Sequence, residues 1–333
     1  MTPLSAPAAV SEELITFIRE GKKFIIAGHI EPDGDCVGSQ LALASVLKRM
    51  GKEVVLCSAG PFKRPEVKSY EHLFSSAPAE KDRIGARVIL LDCTGPDRAG
   101  DLEPFIKDLP LALIDHHGTG KQEVSLDGSR NPLHFIVPDV MSTTMLVYKL
   151  IIALGMDLQR EEAELLFFGI CTDTGFFRHV DSSRDETFDI AACLLRAGAS
   201  PKTAFAAING GKSLNSRKLI GHILSRAESF FDGKLILSSE EYEETCMYGL
   251  EGRDSDSLYQ LFQAVAGVEA IVIIRQESPE KCTVGLRSRD NVDVSRIAVF
   301  FGGGEHKNAS GFSMMTTITE LKPKLLEAFK NSF

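Results

Sequence analysis

Carboxylates and imidazoles crowd a few short segments of this chain. GHIEPDGDCVGSQ, residues 28–40, sets His29, Glu31, Asp33 and Asp35 within seven residues. Further on stand Asp92, the tripeptide Asp115-His116-His117, and Asp173. Asp33, Asp35, Asp92 and Asp173 in one crevice would repel one another unless cations lay between them. Two divalent ions cancel four negative charges, whereas one would leave the crevice anionic and hostile to a phosphate. Two-ion sites suit in-line displacement at phosphorus. Carboxylate oxygens with the imidazoles of His29 and His116, and no thiolate, favour Mn²⁺, with Mg²⁺ or another divalent ion as the alternatives. A plainer reading stays open. Strand-end Asp and His residues also cap helices and terminate strands, and Asp33-Gly34 would make an ordinary turn.

The elements that must position these residues follow from the flanking pattern. His29 follows the apolar run 24–28, and Asp92 and Asp115 close RVILLD (87–92) and LALID (111–115). Continuous apolar runs of this length are strands covered on both faces. A short strand is expected at 53–57, and helices at 36–50 (ended by Gly51), 142–154, 161–171 and 185–197. Alternating strands and helices predict an α/β fold with a Rossmann-like parallel sheet. Ligands bind such sheets beyond the carboxyl ends of the strands, which is where these residues fall. After a helical stretch at 200–227, punctuated by Asn209-Gly210-Gly211, strands are expected at 234–238, 269–275 and 281–289. Helices at 255–265, 293–301 and 316–333 complete a smaller α+β domain.

The formal net charge is −9, so the chain lacks the basic balance of a protein that coats long nucleic acid. It does fit a short acidic substrate held by a few local arginines. Residues 1–10 carry no basic, apolar leader pattern, and no apolar run approaches membrane-spanning length. The seven cysteines form no CxxC pair, so free thiols and a cytoplasmic setting are expected.

Taken together, GHIEPDGDCVGS, LLDCTG, Asp115-His116-His117, GICTDTGFFRH and FGGGEHKNASGF resemble the ordered motifs of the DHH phosphoesterase superfamily and its associated C-terminal domain. The closest resemblance is to its two-domain branch of nano-RNA exonucleases that also act on pAp (3′-phosphoadenosine-5′-phosphate). The resemblance implies that His29, Asp33 and Asp92 hold one ion, and Asp35, Asp92, His116 and Asp173 the other, with Asp92 bridging. It makes His117 face the substrate phosphate and Asp115 orient an imidazole. It implies a catalytic domain at 1–198, a helical connector at 199–229 and a substrate-binding domain at 230–333, with the site in the cleft between domains. The implied reaction is hydrolysis of short RNA to 5′-mononucleotides, and of pAp to AMP, by a water that two ions activate. A cyclic or linear dinucleotide phosphodiesterase is the alternative, and a non-catalytic nucleotide-binding regulator is a third. The expected partners are a short RNA or small nucleotide, not a long nucleic acid or a membrane, with a homodimer admitted.

In the C-terminal part, residues 281–289 alternate, so Thr283, Gly285, Arg287 and Arg289 share one strand face. Arginine suits bidentate phosphate recognition. The resemblance gives Arg287 that role; Arg289 could equally be ordinary surface. Gly302, Gly303 and Gly304 could offer backbone N–H groups to an anion or simply cap a helix. His306 would join the substrate grip by resemblance, while Glu305 stands where a fourth glycine is usual. Arg178 could reach a phosphate. Cys36, Cys93 and Cys171 read chiefly as packing residues. Phe176 and Phe177 read as core, with base stacking by Phe177 the alternative.

Overall fold

The computed structural model describes residues 10–118, 132–289, 291–304 and 306–333. Residues 1–9, most of the stretch that carries no leader pattern, and Glu305 lie outside the described residues. The chain divides into two compact units, Met1–Gly211 and Lys212–Phe333. Strands, and helices of seven or more residues, are numbered here in chain order.

The first unit is built on a parallel sheet of β1 (Lys23–Ala27), β2 (Glu53–Leu56), β3 (Ala86–Leu91), β4 (Leu111–Asp115) and β5 (Leu133–Ile136), in the order β2-β1-β3-β4-β5. The apolar runs serve two cores at once. Phe24, Ile26, Ile89, Leu91, Ala112 and Ile114 face α1 (Glu12–Glu20), α2 (Gly34–Arg49), α3 (Thr143–Ala153) and α4 (Arg160–Asp173). Ile25, Ala27, Val88, Leu90, Leu111 and Leu113 face a second cluster that contains Ala99, Leu102 and Ile106. Period-two alternation between two apolar layers is why the strands read as unbroken hydrophobic runs. In this strand order the chain reverses direction across the sheet between β1 and β3, and a crevice opens there at their carboxyl ends.

Glycines bring α2 against its neighbours. A Cβ on Gly34 would lie 2.4 Å from Thr172, one on Gly38 2.6 Å from the Leu165 carbonyl, and one on Gly169 2.3 Å from Thr144. The first turn of α2 therefore lies against the ends of α3 and α4, where Asp35 and Asp173 sit. α5 (Glu186–Arg196) and α6 (Pro201–Asn209) complete this unit.

The second unit carries a mixed sheet of β6 (Glu228–Phe230), β7 (Leu235–Glu240), β8 (Ala270–Ser278), β9 (Lys281–Ser288) and β10 (Ala309–Met315), in the order β10-β9-β8-β7-β6. Only β7 and β8 pair in parallel. One face packs on α10 (Val294–Phe300) and α11 (Ile318–Phe329). The other packs on α7 (Leu214–Ser225) and α9 (Ser255–Gln263), and α8 (Tyr242–Tyr248) lies between β7 and α9 in the chain. The helical stretch at 200–227 is shared between the units: Ala204 of α6 joins the first core, and Leu219, Ile220 and Ile223 of α7 join the second. Among the described residues no helix is long and apolar enough to cross a membrane, and all seven cysteines are free.

Gly28 carries the turn from β1 into the site. A Cβ there would lie 2.2 Å from Cys36 Sγ and 3.0 Å from the Leu91 carbonyl. Gly28→Ala is therefore expected to cost about 1–3 kcal/mol of stability by overpacking, read as a lower midpoint in urea unfolding.

Candidate active site

The expected residues meet at the carboxyl edge of β1, β3 and β4. His29 follows β1 by one residue, Asp92 follows β3 directly, and Asp115 ends β4. Asp33 and Asp35 open α2, and Asp173 closes α4. Asp92 has a φ of +57°, a left-handed conformation that aspartate tolerates better than most residues and that turns its side chain inward.

Each imidazole is set by a backbone carbonyl. His29 Nδ1 lies 2.7 Å from the Ile30 carbonyl, and His116 Nδ1 3.3 Å from that of Val140. With Nδ1–H donating, both rings turn Nε2 toward the carboxylates, the edge a histidine offers to a metal once any proton on it is displaced. His29 Nε2 stands 3.5 Å from Asp92 Oδ2 and 3.9 Å from Asp33 Oδ1. His116 Nε2 stands 3.2 Å from Asp173 Oδ2, 3.6 Å from Asp92 Oδ1 and 4.0 Å from Asp35 Oδ2. It is buried and makes no hydrogen bond.

Asp35 is fully buried at the N-terminus of α3. It accepts from Thr143 N (2.6 Å), Thr144 N (2.9 Å) and Thr144 Oγ1 (2.6 Å). The helix's own cap residue, Ser142, makes no capping bond, so Asp35 satisfies these first N–H groups from outside. Thr143 Oγ1 donates to Asp92 Oδ1 at 3.0 Å. Asp33 caps α2, accepting from Asp35 N and Cys36 N at 3.1 Å each. The helix-capping reading of Asp33 is thus correct, and the same side chain also stands at the crevice.

The charges are in conflict without a cation. Burial raises Asp35 well above the carboxylate range, and Asp92 and Asp173 push the same way. Burial, then Asp92 and Asp33, push Asp173 up to about 7. Burial opposes charge on His29, but Asp33 and Asp92 outweigh it and hold the imidazolium far above its usual range. Burial lowers His116, leaving its Nε2 lone pair free. Three clusters of possible ligand atoms lie within 4.8 Å: His29, Cys36 and Asp92; Asp92, His116 and His117; and Asp35, His116 and Asp173. Asp92 belongs to two of them, with Oδ2 toward His29 and Oδ1 toward His116. A lone-pair nitrogen without a partner, facing carboxylates driven from their normal charge, fits a divalent cation.

Cys36 Sγ accepts from Gln40 Nε2 at 3.1 Å, and burial pushes its thiol up to about 11, so it stays protonated at neutral pH. His117 is half-exposed, and its Nδ1 lies 2.8 Å from Asp115 Oδ1. That bond raises its pKa and directs its free edge outward. Arg178 is exposed and lies against His179, with Nη2 3.1 Å from Nε2. Gly175, Phe176 and Phe177, just after Asp173, all have positive φ. Phe177 packs on Phe167 and on Phe188, and Phe176 on Phe205; both are partly buried against the first core, while Phe188 and Phe205 are exposed. Sequence reasoning missed Thr143 and Thr144. The signal was there: Ser-Thr-Thr before an apolar run is a helix start.

In the second unit Arg287 is half-buried and Arg289 is exposed, with Arg289 Nη2 donating to the Gln263 carbonyl at 2.6 Å. The glycine loop is a helix cap. Gly302 N donates to Val299 O, Gly303 N to Ala298 O and Gly304 N to Gly311 O. All three N–H groups are thus bonded within the protein. Gly302 and Gly304 supply positive φ, and a Cβ on Gly303 would lie 2.2 Å from the Gly311 carbonyl. His306 is exposed beside them.

A crevice of carboxylates and imidazoles at the switch point of a parallel sheet defines a class, the metal-dependent hydrolases of phosphate esters. The comparisons with known proteins agree. The model described as the DHH family, N-terminal domain, matches residues 23–170, and that of the DHHA1 domain matches residues 242–333. The chain is 32% identical over 309 residues to the bifunctional oligoribonuclease and PAP phosphatase NrnA of Thermus thermophilus, covering 92% of this chain and 88% of that protein. It is 26% identical over 343 residues to the cyclic-di-AMP phosphodiesterase GdpP of Bacillus subtilis, covering 96% of this chain and 50% of that protein. An exopolyphosphatase-related protein from Bacteroides fragilis shares the fold, with a TM-score of 0.74 at 24% identity over 96% of this chain and 94% of that one. This chain belongs to the DHH family of phosphoesterases.

The pKa shifts set a pH dependence for the metal-free protein. Asp173 titrates near 7 when folded, against an ordinary value of 3.8. Between these values the folded chain binds more protons than the unfolded chain, so stability falls as pH rises through that window. The raised His29 acts in the same direction above its ordinary 6.5. In chelator, Tm is expected to fall between about pH 5 and about pH 8, and Asp173→Asn to flatten the slope. Added Mn²⁺ is expected to raise Tm more at the higher pH, where the ligands are deprotonated. A pH-independent Tm in chelator would contradict this account.

Proposed function

We propose that the protein hydrolyses short oligoribonucleotides to 5′-mononucleotides and removes the 3′-phosphate of pAp, using two divalent ions of the manganese type. The observation that carries the reading is Asp92, buried at the sheet edge with one oxygen toward His29 and the other toward His116. In this reading His29, Asp33 and Asp92 hold one ion, and Asp35, Asp92, His116 and Asp173 the other. When bound, the ions supply the positive charge needed to activate water and to stabilise a phosphoryl centre.

The remaining groups have their own tasks. Thr143 and Thr144 fix the rotamers of Asp35 and Asp92, so the ligand set is ordered before substrate arrives. Asp115 orients His117 and favours its cationic form, which can meet a phosphate oxygen. Arg287 of the second unit is proposed to grip the far part of the substrate, with His306 beside the glycine cap as a further contact. A donor set of oxygen and imidazole, with Cys36 protonated, supports manganese over softer metals. The name of the Thermus relative supports this substrate class. The likeness to GdpP over nearly the whole of this chain favours a second reading, a cyclic dinucleotide phosphodiesterase.

The test is hydrolysis, with Mn²⁺, of a labelled RNA dinucleotide, a long RNA, pAp and a cyclic dinucleotide in parallel. Fast release of mononucleotides from the dinucleotide and of phosphate from pAp, with slow attack on the long RNA, is expected. Turnover of the cyclic substrate alone would replace the first reading by the second. Chelation is expected to abolish activity. Asp92→Ala is expected to lower kcat at least about 100-fold, the scale of lost transition-state charge stabilisation. Asp115→Asn, which removes the charge that orients His117 and favours its cationic form, is expected to cost about 10–100-fold.

A further inference from the structure

The arginines of the second unit are not equivalent. Arg253 Nε lies 2.8 Å from Glu240 Oε1 and its Nη1 3.0 Å from Glu277 Oε1; Arg275 Nε lies 3.2 Å from Glu240 Oε2. Two carboxylates thus compensate two guanidinium groups. Among the described residues no carboxylate pairs with Arg287. Its Nη1 donates to the neighbouring Leu286 carbonyl at 2.9 Å, and its guanidinium lies over the Tyr259 ring, 4.7 Å from the centroid.

Tyr259 is held firmly. It is 5% exposed, in the cluster formed by α7, α9 and β8. Its ring end lies directly on the backbone of β9, where a Cβ on Gly285 would come within 2.1 Å of Tyr259 Oη and 3.3 Å of Cζ. Only a glycine admits the ring there. The buried hydroxyl makes no close hydrogen bond, although the Arg275 guanidinium interacts with it electrostatically. What the ring offers is a rigid face beneath an uncompensated cation.

We propose that Tyr259, seated on Gly285, is a positioning residue for Arg287. The ring holds the guanidinium flat and in place, with its N–H edge directed to a phosphate of the substrate. A long, flexible side chain is thereby ordered before binding, which lowers the entropy lost when it grips an anion. The inference rests on the reading of Arg287 as a substrate contact.

The test is a double-mutant cycle on the full chain with Mn²⁺, reading KM and kcat for pAp and an RNA dinucleotide. Tyr259→Leu is expected to raise KM about five- to tenfold, the scale of a lost cation–π contact, with kcat within about twofold. Tyr259→Phe keeps the ring face and is expected to leave both constants unchanged. In an Arg287→Ala background, Tyr259→Leu is expected to add nothing to KM. Should the leucine variant not fold, Tyr259→Met fills similar space without a ring and is read in the same way. Equal KM effects of the Tyr259 substitution with and without Arg287 would overturn the proposal, as would an unchanged KM in Tyr259→Leu when Arg287→Ala raises it. If Arg287→Ala leaves KM unchanged for both substrates, the reading of Arg287 as a grip fails and the inference falls with it.

Discussion

Mutual repulsion among buried carboxylates governs the first unit. Asp33, Asp35, Asp92 and Asp173 converge where solvent screens them poorly, and burial together with their neighbours' charge raises Asp35 and Asp173 above the ordinary carboxylate range. The fold answers with backbone and hydroxyl donors. The first turn of α3 supplies N–H groups to Asp35, and the first turn of α2 supplies them to Asp33. Carbonyls at Ile30 and Val140 lock two imidazoles so that their Nε2 atoms point inward. These contacts orient the acids without neutralising them, so the electrostatic problem is left for an ion to complete. Proteins usually pair or protonate buried charge; here the raised carboxyls of Asp35 and Asp173 mark how much of it a cation would answer.

Much of this was legible in the sequence because chemistry and topology coincide. Apolar runs ending in His29, Asp92 and Asp115 mark strands and also mark the edge where ligands collect. The two-sided burial of β1, β3 and β4 is what made the runs unbroken. Other elements left weaker traces. β5 is a four-residue edge strand with His134 exposed, and α1 precedes any residue of chemical interest. The parallel pairing of β7 with β8 depends on a crossover through α8 and α9, which local pattern does not encode. The glycines at 302–304 were ambiguous between anion cradle and helix cap. Hydrogen bonding decided for the cap, since each N–H already has a carbonyl. The burial of Tyr259 over Gly285 could not be read at all, because it joins residues distant in the chain.

The second unit handles charge differently. Glu240 is fully buried yet holds Arg253 and Arg275, and Glu277 completes the set. A buried ion pair of this kind contributes little net stability, but it fixes where positive charge is silent and where it is available. Arg287 stands out because its neighbours are already answered. One unit thus gathers negative charge at a sheet edge, while in the other Arg287 and Arg289 pair with no carboxylate among the described residues.

The close seating of α2 on α3 and α4 has a consequence for how the molecule matures. His29 and Asp33 are near in sequence, but Asp92, His116 and Asp173 reach them only once a parallel sheet has paired and the close helix contacts at Gly34, Gly38 and Gly169 have closed. No short peptide holds a sketch of the site, unlike a zinc finger, whose ligands nucleate the fold around the metal. A divalent ion therefore arrives late, as a lock on an almost finished structure rather than a template for it. Such an ion slows the opening of the native state and does little for the rate at which the chain first finds it.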